Sequence, residues 1–206
     1  MTEASPRRVE HQQTDKGYVP VYATGEVAQP WADYSTTDHR VWSTLFERQH
    51  QILAGRACDE FLRAQQTLQM GADAIPKFDD INRILAASTG WQLIGVEGLL
   101  PELVFFEHLA NRRFPVTWWI RKPEQIDYIA EPDLFHDLFG HVPLLMLPEF
   151  ADYMQAYGRG GVKASTLGAE ALANLTRLYW YTVEFGLIRS ARGLRIYGSG
   201  IVSSKG

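Results

Sequence analysis

Cysteine is almost absent, with Cys58 alone in 206 residues. An internal disulfide is impossible, which fits a reducing cytoplasm. No long lysine and arginine run occurs, and the net charge is −4, so a nucleic-acid partner is not expected. Charges break every apolar run before it reaches membrane-spanning length. Residues 1–17 are polar, with Glu3, Arg7, Arg8 and Glu10. They lack the apolar stretch of a secretory signal, so export is not expected. No repeat, low-complexity tract or second domain is visible. What is present is 46% hydrophobic content, enough for one sizeable core.

The organisation read from the pattern is a polar, flexible lead-in over residues 1–17 and one domain over 18–206. Residues 18–31 carry Pro20 and Pro30 and read as extended surface chain. Thr36, Thr37 and Asp38 supply a helix start, followed by Val41, Leu45, Ile52 and Leu53. Gly55 interrupts it, and residues 57–70 continue helically. Residues 78–88 read as a helix with Ile81, Ile84 and Leu85 on one face. Residues 91–96 and 114–120 read as short strands. A helix is expected over 149–157, a loose glycine loop at Gly158, Gly160 and Gly161, a long helix over 168–188 and a short strand over 194–197. The fold class expected is mainly α with short strands.

Two histidines, His136 and His141, stand five residues apart. On an intact α-helix that spacing rotates through about 500°, leaving the side chains about 140° out of line. Gly140 and Pro143 read as a helix stop that would let His141 project from a turn. Asp133 can cap the preceding helix, and Asp133 and Asp137 are placed to accept the second imidazole N–H groups. Glu184 lies downstream between Val183 and Phe185, where a lone carboxylate is costly unless it has an arginine, a metal or a proton. Arg177, Arg189 and Arg195 are the candidate ion-pair partners. Two imidazoles and one carboxylate are also the ligand set of non-haem Fe(II) oxygenases, which leaves positions open for oxygen and water. The same donors ligate catalytic zinc, although the familiar hydrolase pattern is His-Glu-x-x-His and here the spacing is five with aspartate after the first histidine. A closed structural metal site in a non-catalytic binding protein is a third reading.

Several segments carry a resemblance. They are Val96-Glu97-Gly98-Leu99-Leu100, Trp119-Ile120-Arg121, Glu131-Pro132-Asp133 through His141-Val142-Pro143-Leu144, Tyr179 through Leu187, and Tyr197-Gly198-Ser199-Gly200 through Ser203-Ser204. In this order they resemble the catalytic domain of the pterin-dependent aromatic amino acid hydroxylases, most closely bacterial members acting on phenylalanine. The resemblance implies a single-domain helical basket that hydroxylates L-phenylalanine to L-tyrosine with Fe(II), tetrahydrobiopterin or a related tetrahydropterin, and O₂. That reaction is the first step of phenylalanine catabolism. It makes His136, His141 and Glu184 the iron ligands. It places Gly98, Leu99, Leu100, Phe105, Asp137 and Tyr179 at the pterin. It gives the substrate carboxylate to Arg121, its ring to Pro132, Trp180 and Phe185, and its backbone to Ser203 and Ser204. A tryptophan or tyrosine hydroxylase of the same family is the alternative substrate assignment.

Two departures from the family pattern stand out. Asp137 occupies a position that is often glutamate, and Ile129-Ala130 replaces a threonine-proline pair of animal members. Animal members carry a regulatory domain before the catalytic one and an oligomerisation helix after it. Neither is seen here, so a monomer is expected. Family catalytic domains continue past the paired serines, so residues 18–206 are expected to be incomplete at the C-terminal side.

Overall fold

The computed structural model describes residues 12–14, 17–19 and 25–205. Of the lead-in expected over 1–17, residues 1–11, 15 and 16 fall outside them, as do residues 20–24 of the extended chain expected over 18–31. Strands β1 (Gln12–Thr14) and β2 (Gly17–Val19) pair antiparallel.

The first long helix, α1 (Thr36–Leu53), opens on a reciprocal cap. The Ser35 hydroxyl accepts the Asp38 N–H at 3.2 Å, and the Asp38 carboxylate accepts the Ser35 N–H at 2.8 Å. Such a cap contributes about 1 kcal/mol by satisfying donors that the helix leaves open. Val41, Trp42, Leu45, Gln49 and Leu53 recur at helical spacing and form its buried face. Helix α2 (Asp59–Thr67) is shorter than the span expected over 57–70. Gln69 turns the chain with a φ of 55°, in the left-handed region. Helix α3 (Phe78–Ser88) forms where its apolar spacing places it.

A three-stranded sheet follows, with order β3 (Glu26–Val27), β4 (Gln92–Val96), β5 (Arg113–Thr117). Strands β4 and β5 are parallel, in register from Gln92↔Arg113 to Val96↔Thr117. Parallel neighbours need a crossover. Helix α4 (Glu102–Ala110) supplies it, an element the pattern reading lacks.

The second half departs more from expectation. Helix α5 (Pro148–Ser165) runs straight through Gly158, Gly160 and Gly161, where a loop was expected. The reason is packing. A Cβ at Gly158 would overlap the backbone of Leu109 and Ala110, and one at Gly161 would overlap the Phe106 ring. The glycines let α5 lie close against α4. Helix α6 (Ala169–Tyr179) is shorter than the helix expected over 168–188. Past it the chain forms one wide turn to Glu184 and then an antiparallel hairpin, β6 (Leu187–Ser190) and β7 (Gly193–Ile196). A short helix, α7 (Ser199–Ser203), follows.

One apolar core joins these elements. Trp42, Phe61, Phe135 and Phe139 are fully buried in it. Phe135 and Phe139 stack at 4.7 Å, and Trp42 and Phe46 meet them edge-on at 5.3 and 5.5 Å. The segment that carries the histidines is thereby pinned by aromatic side chains on its inner face. Each such ring contributes roughly 2–3 kcal/mol on burial. No described helix is long and apolar enough to cross a membrane.

Candidate active site

Gly140 does not stop a helix. His136–His141 winds as one π-turn, closed by i→i+5 hydrogen bonding in place of i→i+4. The wider turn removes the misalignment that an α-helix would impose on residues five apart, and both imidazoles come to one face. Gly140 serves another purpose: a Cβ there would sit 3.0 Å from the Ser199 carbonyl oxygen, so its absence lets α7 approach. Trp180–Glu184 is a second π-turn, with the Phe185 N–H donating to the Trp180 carbonyl at 3.0 Å. It delivers Glu184 to the same place.

The convergence is close. Nε2 of His136 and Nε2 of His141 are 3.2 Å apart. Glu184 Oε1 lies 3.6 Å from the first and Oε2 lies 3.4 Å from the second. Donors about 2.1 Å from a common cation, at right angles, stand roughly 3 Å apart. The donor set therefore fits one metal ion with positions left open. Among the described residues no arginine pairs with Glu184. Arg177 instead bonds Asn174 at the surface, so the ion-pair reading of Glu184 is overturned.

Hydroxyl groups orient the donors. Ser203 Oγ lies 2.8 Å from His136 Nδ1, and the Tyr179 hydroxyl lies 3.3 Å from His141 Nδ1. With Nε2 turned to the shared point, each Nδ1 carries the hydrogen and donates it. Ser199 donates to Glu184 Oε2 at 2.8 Å. The expectation that Asp133 and Asp137 hold the imidazoles is corrected. Asp133 is wholly buried and accepts from the backbone N–H, Nε and Nη2 of Arg121 at 2.8–2.9 Å, and from the His136 N–H at 3.1 Å. Asp137 accepts the Thr117 N–H of β5 at 2.8 Å. Both carboxylates point to the backbone that frames the site. Asp137 nevertheless keeps an oxygen within 4.8 Å of both histidines.

Burial and charge set the protonation states. Burial raises the Glu184 carboxyl, but the contact with His141, the nearness of both imidazoles and the Ser199 hydroxyl outweigh it and hold the group at about 2 in the metal-free protein. Burial, and then His141, push His136 down to about 4. At neutral pH Glu184 is therefore ionised and His136 carries a free lone pair, as metal binding requires. Burial lifts Asp137 to about 6. It also lifts the Tyr179 phenol, helped by the negative charge of Glu184.

The donors open into a cavity of about 660 Å³ whose lining is mostly apolar. Gly98, Leu99, Leu100, Phe105, Asp137 and Tyr179 line it, as do Arg121, Pro132, Trp180, Phe185, Ser203 and Ser204. The cavity lining thus includes every residue that the resemblance assigns to metal, pterin or substrate, but not Asp133. Arg121 is buried, not a surface residue, and Asp133 occupies its Nε and Nη2, leaving Nη1 outside that pair. Trp180 and Phe185 stack at 5.5 Å at the half-exposed rim. Sequence reasoning missed Ser199 as a partner of Glu184. It also missed Phe114, whose ring centre is 5.1 Å from that of His141. The spacing of Ser199 and Ser203, one helical turn apart, was the available signal for the first.

Residues 7–206 match the family model described as biopterin-dependent aromatic amino acid hydroxylase. The phenylalanine-4-hydroxylase of Chromobacterium violaceum is 62% identical over 86% of this chain, and the chain spans 59% of that protein's length. A solved structure of phenylalanine hydroxylase from the same organism, with iron and phenylalanine bound, superposes with a TM-score of 0.82 at 59% identity. Another, with iron(III) and oxidised 7,8-dihydrobiopterin bound, superposes with a TM-score of 0.84 at 60% identity. The matched regions cover 87% of this chain and 64% and 65% of those two. The chain belongs to the biopterin-dependent aromatic amino acid hydroxylases.

Proposed function

We propose that this chain carries out the hydroxylation of L-phenylalanine to L-tyrosine, using Fe(II), a tetrahydropterin and O₂. The observation that carries the reading is the meeting of the His136 and His141 Nε2 atoms with the Glu184 carboxylate, 3.2–3.6 Å apart, at the wall of an apolar cavity. The names and bound molecules of the bacterial relatives support the same reading. Bound iron and tetrahydropterin would together supply the activation of O₂.

The chain's own residues have separable tasks. His136, His141 and Glu184 hold the metal, with one negative charge among them. The volume, about 660 Å³, falls in the range of small-molecule sites and leaves room for a pterin beside an amino acid. Gly98, Leu99, Leu100, Phe105, Asp137 and Tyr179 form the pterin side. Pro132, Trp180 and Phe185 exclude water from the substrate ring. Arg121, oriented by Asp133, presents its remaining N–H groups to the substrate carboxylate. Ser203 acts first through His136, and Ser204 stays available to the amino-acid backbone. The reading takes the protein as a cytoplasmic monomer.

The test is incubation of the chain with Fe(II), a tetrahydropterin, O₂ and phenylalanine. Tyrosine that requires both iron and pterin is the expected result. Iron bound at one equivalent without any tyrosine would overturn the activity while leaving the metal site. No bound iron would overturn both. Competition with tryptophan and tyrosine tests the substrate, and the account expects phenylalanine to be preferred.

A further inference from the structure

We propose that Ser199 and Gly200, adjacent in α7, are positioning residues that fix the orientation of the Glu184 carboxylate toward the two histidines. This rests on the metal-binding reading given above. Glu184 sits on the π-turn at the half-open side of the cavity, where its neighbours Trp180, Tyr181 and Phe185 are all at least half exposed. Helix α7 acts on both oxygens of this buried carboxylate. The Ser199 hydroxyl is buried and donates to Oε2 at 2.8 Å. The same hydroxyl lies 3.2 Å from the Val183 carbonyl, but it has one hydrogen, and the shorter, charge-assisted contact takes it. On the other oxygen the constraint is steric. A Cβ at Gly200 would stand 2.5 Å from Oε1 and 3.1 Å from Cδ. Only a residue without a side chain leaves Oε1 where it lies, 3.6 Å from His136 Nε2. One residue therefore pulls on Oε2 and the next leaves room for Oε1.

The assignment separates this pair from Ser203, which meets His136, four residues on. A single helical turn thus reaches one ligand through Ser199 and another through Ser203. Partners of metal ligands at this remove typically change metal affinity 10–100-fold when removed.

The test is a Co(II) titration of the full chain and of two variants, followed by the visible d–d spectrum of each complex and the thermal midpoint of each metal-free protein. Ser199→Ala keeps the Cβ and so the packing against Gly140. It is expected to bind Co(II) 10–100-fold more weakly, with shifted d–d bands and a nearly unchanged midpoint. Gly200→Ala is expected to shift the bands further, because the carboxylate must move. Wild-type affinity and spectrum in a folded Ser199→Ala or Gly200→Ala would overturn the assignment. A lowered midpoint with an unchanged spectrum would assign these residues to folding alone and overturn it equally. Absence of Co(II) binding by the wild type would overturn the metal-site reading itself, and the inference with it.

Discussion

The two π-turns use the same backbone device, but their surroundings differ. In His136–His141 every residue after the first is buried, and Phe139 is inaccessible to solvent. In Trp180–Glu184 only Val183 and Glu184 are buried, while Tyr181 is 77% exposed. The histidine arm is fixed by apolar packing from α1, α2 and the segment's own phenylalanines. The glutamate arm is fixed by polar and close-packed contacts from α7. The lesson is that a ligand set can be positioned by two unlike means. Damage to one arm should appear mainly as lost stability, and damage to the other mainly as lost metal.

The largest effect is expected at Glu184. Glu184→Ala removes the only charged donor and should abolish stable metal binding and hydroxylation, read as iron per chain and as tyrosine formed, while the metal-free fold persists. Next comes the other arm. Phe139→Ala should cost about 3–5 kcal/mol in denaturant unfolding, because a fully buried ring leaves a cavity in the core. If Glu184→Ala lowered stability as much as Phe139→Ala, the contrast between the arms would fail.

Acid titration of the metal-free protein sharpens the contrast at intermediate size. His136 is lowered to about 4, so the unfolded chain takes its proton first, and this group withdraws stability as pH falls from 6.5 toward 4. Asp137 is raised to about 6, so the folded chain takes its proton first, and this group adds stability as pH falls from 6 toward 3.8. The two oppose each other. Asp137→Asn should therefore steepen the acid loss between pH 6 and 4 in chelator-treated protein, as followed by unfolding at each pH. A flatter profile would contradict the assignment. The smallest effect is expected at Tyr181, where Tyr181→Ala should change stability by no more than about 0.5 kcal/mol, because its side chain is largely in solvent.

What was legible in the sequence follows from range. Helix α3 needs only its own apolar spacing, and residues 78–88 were read with the bounds the fold has. The convergence of His136, His141 and Glu184, the proposed metal donors, was legible because their chemistry has few other uses in an apolar setting. The π-turns were not, since a five-residue histidine spacing reads equally as a helix broken at Gly140. Helix α4 was missed because Leu103, Val104, Phe105 and Phe106 form a continuous apolar run without a helical period. Gly158 and Gly161 read as a loop until α4 lies against them, for their role is set by a neighbour about fifty residues earlier. Ser199 and Ser203 were invisible as supports for the same reason, because folding alone brings them to residues 15 and 67 positions away. The aspartates beside the histidines drew attention by adjacency, and the fold uses them to hold Arg121 and β5.

The central claim is that both arms meet on one metal ion. Crystals of the chain loaded with Fe(II) under anaerobic conditions, measured at the iron absorption edge, test it most directly. The account predicts one anomalous peak about 2.1 Å from Nε2 of His136, Nε2 of His141 and a Glu184 oxygen. A peak ligated by Asp137 in place of Glu184, or no peak between the two arms, would contradict it.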